Sequence, residues 1–563
     1  MRPERKQSVV EQAGRNENEP HLMSVERPRT TNPSPWAEDE GCQPPLSNSQ
    51  KAVERGGVSV DGMSGKDAGL SQESSPRAEQ RQPAAQASRK ADRTVGAVGV
   101  SRSSVEPQES KTCGEPRGGT YAKALQSNEG QGDGWDQLLT EWNRIITPEK
   151  VRKLQRTLYR KAKAEPKYRF YSLYGEVCRK EVLDHALALA TRNDGGAGVD
   201  EVELAEVNRE ERREQWLEEL AAELSSQRYR PSPVRRVYIP KGDGKVRPLG
   251  IPTVKDRVVQ AAAVMVLLPI FEADMHEQSY AYRPGRNAHQ AIRAIVSAMA
   301  GGRTEVIDAD LSGYFDSIPH QGLMKLVARR VSDGTMLKLI RAWLRAPIQE
   351  EDPSGGSPRR RRNEQGTPQG GVISPLLANL YLNRLDYEVN ERCERKPVMV
   401  RYADDFVILC RRGEGAGLMA RLKRWLESRA LTLNESKTRL VDIRREGIKF
   451  LGFSLSQRRG FGGQNYVHVE PHARSRQKLR DTVKKRLNHW TQGQAEEAVI
   501  EGLNRTLKGW AGYFRFRNHT HVFRKMQFYL RMKVGRWLWK RHGKKQRVDY
   551  AALADTHGLY RLI

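Results

Sequence analysis

Between Met1 and Gly134 the chain contains no isoleucine and no phenylalanine, and Trp36 and Tyr121 are the only aromatic residues there. Ser, Gly, Pro, Gln and Glu dominate instead. Such a segment cannot bury enough apolar surface to offset the entropy of ordering it, so residues 1–134 are expected to form a disordered, low-complexity extension. Every core must be built from the remainder of the 563 residues, which still suffices for more than one lobe. Lys and Arg number 97 against 69 Asp and Glu, a net charge of +28, which points to a polyanionic partner such as RNA or DNA. No apolar run approaches the roughly eighteen residues of a spanning helix. The opening Met1-Arg-Pro-Glu-Arg-Lys lacks the apolar stretch of a signal peptide. The expectation is a cytoplasmic, non-secreted protein with no membrane partner. Cys42, Cys113, Cys178, Cys393 and Cys410 form no metal-ligand spacing and read as reduced and unligated.

From Trp135 onward periodicity appears. Val151, Leu154, Leu158 and Ala162 fall on one helical face and Arg152, Lys153, Arg156, Arg160 and Lys161 on the other. A second helix, over Glu181 to Ala190, stops at Asn193-Asp-Gly-Gly. Arg235 to Pro240 is strand-like, Gly242-Asp-Gly is a turn, and Arg257 to Phe271 is a largely apolar helix. The pattern then repeats through helices at Ser374 to Asn390 and Leu418 to Ser428. These alternations read as an α+β chain.

Two segments carry carboxylates where apolar residues would be cheaper. In Val306-Ile-Asp-Ala-Asp-Leu-Ser-Gly-Tyr-Phe-Asp316, strand alternation puts Asp308 and Asp310 on one face and Ile307, Ala309 and Leu311 on the core face. In Val398-Met-Val-Arg-Tyr-Ala-Asp-Asp-Phe-Val-Ile-Leu409, two apolar strands meet at a turn bearing Asp404 and Asp405. Adjacent acids in such a place repel unless a cation neutralises them, and oxygen donors without Cys or His favour Mg²⁺. Carboxylates from two strands can hold two ions roughly 4 Å apart for in-line displacement. Between these segments lies Gln365-Gly-Thr-Pro-Gln-Gly-Gly-Val-Ile-Ser-Pro-Leu-Leu-Ala-Asn379. Its glycines would let the backbone approach an incoming nucleotide. Ser374 and Pro375 would cap and open the following helix.

Tyr402-Ala-Asp-Asp405, preceded by the Asp310 segment, is the signature of reverse transcriptases. From Trp135 to Lys545 the sequence resembles the reverse transcriptase/maturase encoded by group II introns, with ordered blocks from Asn193-Asp-Gly-Gly-Ala-Gly-Val-Asp200 to Phe450-Leu-Gly-Phe453. That resemblance implies a right-hand polymerase of fingers, palm and thumb with a helical, basic maturase/thumb domain. Its divisions would be an N-terminal RNA-binding extension and fingers over 135–300, a palm with some finger elements over 301–456, a thumb/maturase domain over 457–547, and a short tail over 548–563 with no endonuclease domain. Asp310, Asp404 and Asp405 would be catalytic, with Asp310, Leu311, Asp404 and Asp405 forming the metal set for two Mg²⁺ ions. Lys241, Arg247, Phe315, Gln369 and Lys437 would bind the nucleotide, Phe315 crowding a ribose 2′-hydroxyl, with Tyr314 as its neighbouring rival.

From Pro471 to Arg547 the chain holds 21 Lys and Arg against 4 Asp and Glu, interleaved with aromatics of which most should pack a helical core. Arg474, Arg476, Lys478, Arg480, Lys484, Lys485 and Arg486 are its expected RNA-binding residues. The implied function is an RNA-directed DNA polymerase that also binds intron RNA and assists its splicing and mobility. Its partners would be structured intron RNA, an RNA template with a DNA primer, dNTPs and target DNA. Three alternatives remain: an intron-independent reverse transcriptase of the retron, diversity-generating or defence type; an RNA-binding splicing factor without polymerase activity; and, disfavoured by Ala403, an RNA-dependent RNA polymerase.

Overall fold

The structure, a computed structural model, describes residues 145–240, 246–351, 356–543 and 548–563. The expected N-terminal disorder, Lys241 and the Gly242-Asp-Gly turn lie outside the described residues.

Helix α1 (Glu149–Ala164) buries Val151, Leu158 and Ala162 as its periodicity predicts, but its stripe differs by one member. Leu154 is only half-buried, and Gln155 takes the inner position because its Nε2 donates to the Met265 carbonyl at 3.1 Å. Helix α2 (Lys180–Asn193) ends at Asp194, whose φ of 42° is the left-handed stop that the Asn-Asp-Gly-Gly run signals. After α3 (Glu210–Ser225) come β1 (Val234–Pro240) and β2 (Val246–Ile251), an antiparallel pair that sets Ile239 opposite Arg247. Helix α4 (Val254–Glu272) is buried almost all round, which explains its lack of a polar face. Thr253 caps it by accepting from the Asp256 N–H at 3.1 Å.

Helix α5 (Ala288–Ala300) opens with a reciprocal capping box between Asn287 and Gln290. Strand β3 (Glu305–Ala309), helices α6 (His320–Val327) and α7 (Gly334–Arg345), and strands β4 (Ile348–Glu350) and β5 (Arg359–Arg361) follow. Helix α8 (Ser374–Tyr387) begins without a side-chain cap, contrary to the role expected of Ser374. The Ser374 hydroxyl donates to the Pro368 carbonyl at 2.8 Å instead, while Pro375 occupies the first turn as expected. Then come β6 (Val398–Tyr402), β7 (Asp405–Cys410), α9 (Gly415–Glu427), β8 (Arg439–Asp442), β9 (Ile448–Phe450), β10 (Phe453–Arg459) and β11 (Asn465–Pro471). Helices α10 (Ala473–Arg486), α11 (Glu496–Phe514) and α12 (Thr520–Arg541) follow, and a single helical turn at Leu553–Thr556 comes after them.

Among the described residues the strands form sheets ordered β2-β1-β4-β5, β6-β7-β3-β8 and β11-β10-β9. The second is antiparallel throughout and separates two cores. Ile307, Phe406 and Ile408 pack on one face with α1, α2, α4 and α8. Val306, Val407 and Leu409 pack on the other with α5 and the α10–α12 lobe. Ile307, Ala309 and Leu311 share the apolar face as expected, but the opposite face is acidic only in part: Val306 and Val407 make it core, and Asp308 lies near the β6–β7 turn. Phe514, Phe523 and Trp537 are core, as expected for most aromatics of the basic lobe. Residues 548–563 are packed into that lobe through Leu553, Leu559 and Leu562, with the Leu562 N–H donating to Gln527 Oε1 at 2.8 Å. The fold is an α+β right-hand polymerase with a helical basic lobe. Among the described residues no helix is long and apolar enough to cross a membrane.

Candidate active site

The β6–β7 turn places Ala403 at φ 63°, so the chain reverses within two residues and Asp405 opens β7. Strand β3 lies beside β7 with Asp308 opposite Val407 and Ala309 opposite Phe406. Continuing that register, Asp310 falls across from Asp405. Cross-strand partners share a sheet face, so the register gathers carboxylates from separate parts of the chain at one end of the sheet.

Asp310 is held from the other side by the segment before β8. The Asn434 N–H donates to the Asp310 carbonyl at 2.8 Å, and Asn434 Nδ2 and Lys437 Nζ reach Asp310 Oδ2 at 3.0 and 2.9 Å. Leu311 is buried and bridges Leu433 in the same antiparallel seam. Burial pushes the Asp404 carboxyl up, opposed by its own backbone N–H, while Asp310 adds to the rise and Arg247 and Arg401 resist it. Asp405 keeps exposed surface, yet crowding by the site walls and then the charges of Asp404, Asp310 and Asp308 push it to about 7 against a partial offset by Lys437. Among the described residues no group of three or more His, Cys, Asp or Glu side chains is arranged to hold a metal ion. The aspartates share an electrostatic field without forming a closed coordination shell.

The glycine-rich loop meets the chain's own backbone. A Cβ on Gly366, where φ is 83°, would lie 2.7 Å from Asp316 Cα, and one on Gly370, where φ is 109°, would lie 2.1 Å from the Gly250 carbonyl oxygen. The Thr367 N–H donates to the Phe315 carbonyl at 2.6 Å, and the Gly250 N–H to the Gln369 carbonyl at 2.5 Å. These glycines therefore weld the loop to β2 and to the residues after β3, a demand separate from nucleotide approach. Gln369 Nε2 donates to Asp316 Oδ2 at 3.0 Å. Tyr314 is buried with its hydroxyl donating to the Ala378 carbonyl at 2.6 Å, whereas Phe315 is half-buried beside it.

Two features escaped the sequence reading. Arg401, fully buried, pairs with the equally buried Asp386 at 2.6 Å and donates from Nη1 to the Asn379 amide oxygen at 2.8 Å and to the Ala403 carbonyl at 3.0 Å. It fastens the carboxylate turn to α8. Tyr282, at φ 56°, keeps exposed surface, yet the surrounding protein and then the Asp404 charge push its hydroxyl up to about 12. An arginine inside an apolar strand was the available signal for the first; nothing local marked the second.

The basic run of α10 leaves Arg474, Lys478, Lys484, Lys485 and Arg486 exposed, and half-buries Arg476 and Arg480. Only Leu479 and Val483 of this helix enter the core.

Comparison with known proteins agrees with this architecture. Residues 239–455 match the model of the reverse transcriptase (RNA-dependent DNA polymerase) family, and residues 476–552 match the group II intron, maturase-specific domain. Protein YkfC of Escherichia coli (strain K12) is 34% identical over 366 residues, covering 58% of this chain and 94% of that protein. Group II intron-encoded protein LtrA of Lactococcus lactis subsp. cremoris is 37% identical over 174 residues, covering 31% of this chain and 28% of LtrA. A 91 kDa protein in the cob intron of Schizosaccharomyces pombe is 26% identical over 375 residues, covering 53% and 45% respectively. With both family domains in order on a polymerase fold, the chain belongs to the group II intron reverse transcriptase/maturase family.

Proposed function

We propose that this RNA-directed DNA polymerase extends a DNA primer on an RNA template with two Mg²⁺ ions held by Asp310, Asp404 and Asp405, Leu311 adjoining them. The observation that carries this reading is the β3–β7 register, which aligns Asp310 with Asp405 beside the Asp404 turn. The donor set fits a hard cation: enclosure and then the charges of Asp404, Asp310 and Asp308 raise Asp405 to about 7, and the chain already offers Asp310 an ammonium group. Bound Mg²⁺ supplies charge neutralisation at the attacking and leaving oxygens. Arg401 keeps the turn in place. Arg247 and Lys437 neutralise triphosphate charge, Lys241 joining them; Gln369 contacts the nucleotide, and Phe315 favours deoxynucleotides.

Intron RNA is gripped by the basic lobe, with Arg474, Arg476, Lys478, Arg480, Lys484, Lys485 and Arg486 as phosphate contacts. Residues 135–300 serve as RNA-binding extension and fingers, 301–456 as palm, 457–547 as thumb/maturase domain and 548–563 as the terminal segment. Target DNA is a further partner, and the cytoplasm, where RNA and dNTPs meet, is the site of action. The test is primer extension on an RNA template across a Mg²⁺ titration. Wild-type synthesis should depend steeply on the cation and vanish in Asp310→Asn; synthesis by that variant at the wild-type rate would refute the assignment.

A further inference from the structure

Helix α12 has a face that the core does not use. Val522, Phe523, Met526, Leu530, Val534 and Trp537 point inward. The opposite face, with Arg480 of α10 across from it, lines an open groove of about 700 Å³. Two rows run along this face at one-turn spacing. One is Arg524, Phe528, Met532 and Arg536; the other is His521, Lys525, Tyr529 and Lys533. In each row basic residues flank the aromatic, and Arg524 and Arg536 are about 18 Å apart along the axis at 1.5 Å per residue.

Among the described residues no acidic side chain lines the groove. Among the described residues Arg524, Lys525, Lys533 and Arg536 have no carboxylate partner. Tyr529 is committed to the fold: the Arg480 guanidinium stands 5.5 Å from its ring centroid, and its hydroxyl donates to the Arg480 carbonyl at 3.3 Å. Phe528 has no such commitment. It is 68% exposed, and among the described residues no ring packs on it.

We propose that this groove binds unpaired nucleotides of an RNA strand, with a base stacked on Phe528 and flanking phosphates taken by Arg524 and Lys525 on one side and by Lys533 and Arg536 on the other. The proposal rests on the RNA-binding role given above to the basic lobe, but uses residues outside its Arg474 to Arg486 run. Cations alone would suit any polyanion. The exposed ring narrows the choice, because an A-form duplex buries its base faces in the stack and shows only sugars, phosphates and base edges, whereas a single strand offers free base faces. Tyr529 and Met532 line the groove beside Phe528 and add apolar surface to it.

Binding of the full chain to a short oligouridylate and to an RNA duplex of equal length, each by fluorescence anisotropy across a salt series, tests this directly. Phe528→Ala should weaken oligouridylate binding about tenfold and duplex binding less than about twofold, while Phe528→Trp should restore it. Arg536→Gln should reduce the oligouridylate salt slope by about 0.7. Equal loss for both RNAs, or no loss for either, overturns the proposal. So does unchanged oligouridylate affinity in Phe528→Ala together with lost binding to phosphatidylserine vesicles, which would make this a lipid-facing surface. Wild-type protein that binds neither RNA would contradict the RNA-binding reading as a whole; wild-type binding indifferent to Phe528 would contradict the groove alone.

Discussion

Lys437 Nζ lies 2.9 Å from Asp310 Oδ2, so a lysine expected to bind the nucleotide neutralises a proposed metal ligand in the nucleotide-free chain. The two roles are compatible if the ammonium yields Asp310 when a stronger cation arrives. Lys437→Met should then move two affinities in opposite directions. Divalent-cation binding without nucleotide should tighten, because a competitor is gone, and dNTP binding should weaken by about tenfold, the scale of one charged hydrogen bond. Calorimetric titration with Mg²⁺ and separately with dNTP checks both; weaker Mg²⁺ binding would make Lys437 a structural support of the site.

Cation binding should also be strongly pH-dependent. Asp405 is pushed to about 7 by enclosure and by its acidic neighbours, so in the metal-free chain it holds a proton below that pH. A cation must displace this proton, and apparent affinity should fall about tenfold per unit as pH drops below about 7, levelling off above it. Titrations between pH 5.5 and 8.5 in buffers of different ionisation enthalpy would detect the released proton. A flat profile would contradict it.

Asp386 and Arg401 test whether the carboxylate turn is held for catalysis or merely for stability. Removing one member of a buried pair costs about 3 to 5 kcal/mol, whereas replacing both by apolar residues of similar volume is often neutral. Arg401→Gln should therefore lower the thermal midpoint sharply, and Arg401→Met/Asp386→Leu should recover much of it. The double variant still lacks the donor to the Ala403 carbonyl, so its kcat should remain depressed while template-primer affinity is retained. Recovery of kcat along with the midpoint would reduce the pair to packing.

Asp333 should carry part of the acid sensitivity of folding. It caps α7 and accepts from the Leu173 and Tyr174 N–H groups at 2.8 Å and from the Met336 N–H at 3.0 Å. Burial pushes its carboxyl up, but these backbone donors outweigh burial and hold it below 3.8. A depressed folded-state value means that the stabilisation is complete above the unfolded value near 4 and is lost as pH falls through the folded value. Asp333→Ala should cost about 1 to 3 kcal/mol at pH 7, and Asp333→Asn should flatten stability against pH below 4 in denaturant titrations. An unaltered acid limb in Asp333→Asn would show that its charge is not what is being titrated.

The proposed carboxylate cluster could be picked out in the sequence because Asp310, Asp404 and Asp405 adjoin apolar strands, where uncompensated charge is costly, and the β3–β7 pairing runs toward both segments. Helices α2 and α4 were legible for similar reasons, through a stop at Asp194 and an apolar run too long for a strand. What could not be read were relations fixed by tertiary contact. Gln155 displaces Leu154 from the inner stripe of α1 because a carbonyl of α4 needs a donor. Gly366 answers to Phe315 and Asp316, fifty or more residues away in sequence, and Gly370 to Gly250, more than a hundred away. The Arg401–Asp386 pair likewise depends on how α8 crosses the sheet, and Ser374 lost its cap role to the Pro368 carbonyl.

Asp404→Asn gives the most direct test of the central claim, that DNA synthesis depends on the carboxylate cluster while RNA binding depends on other surfaces. The change keeps size and polarity, so circular dichroism should match wild type. Primer extension on an RNA template and splicing of the bound intron RNA should be measured on the same folded preparation. The account predicts that DNA synthesis falls by several orders of magnitude while splicing assistance persists. Retained synthesis would contradict the metal assignment, and loss of both activities in a folded protein would contradict their separation.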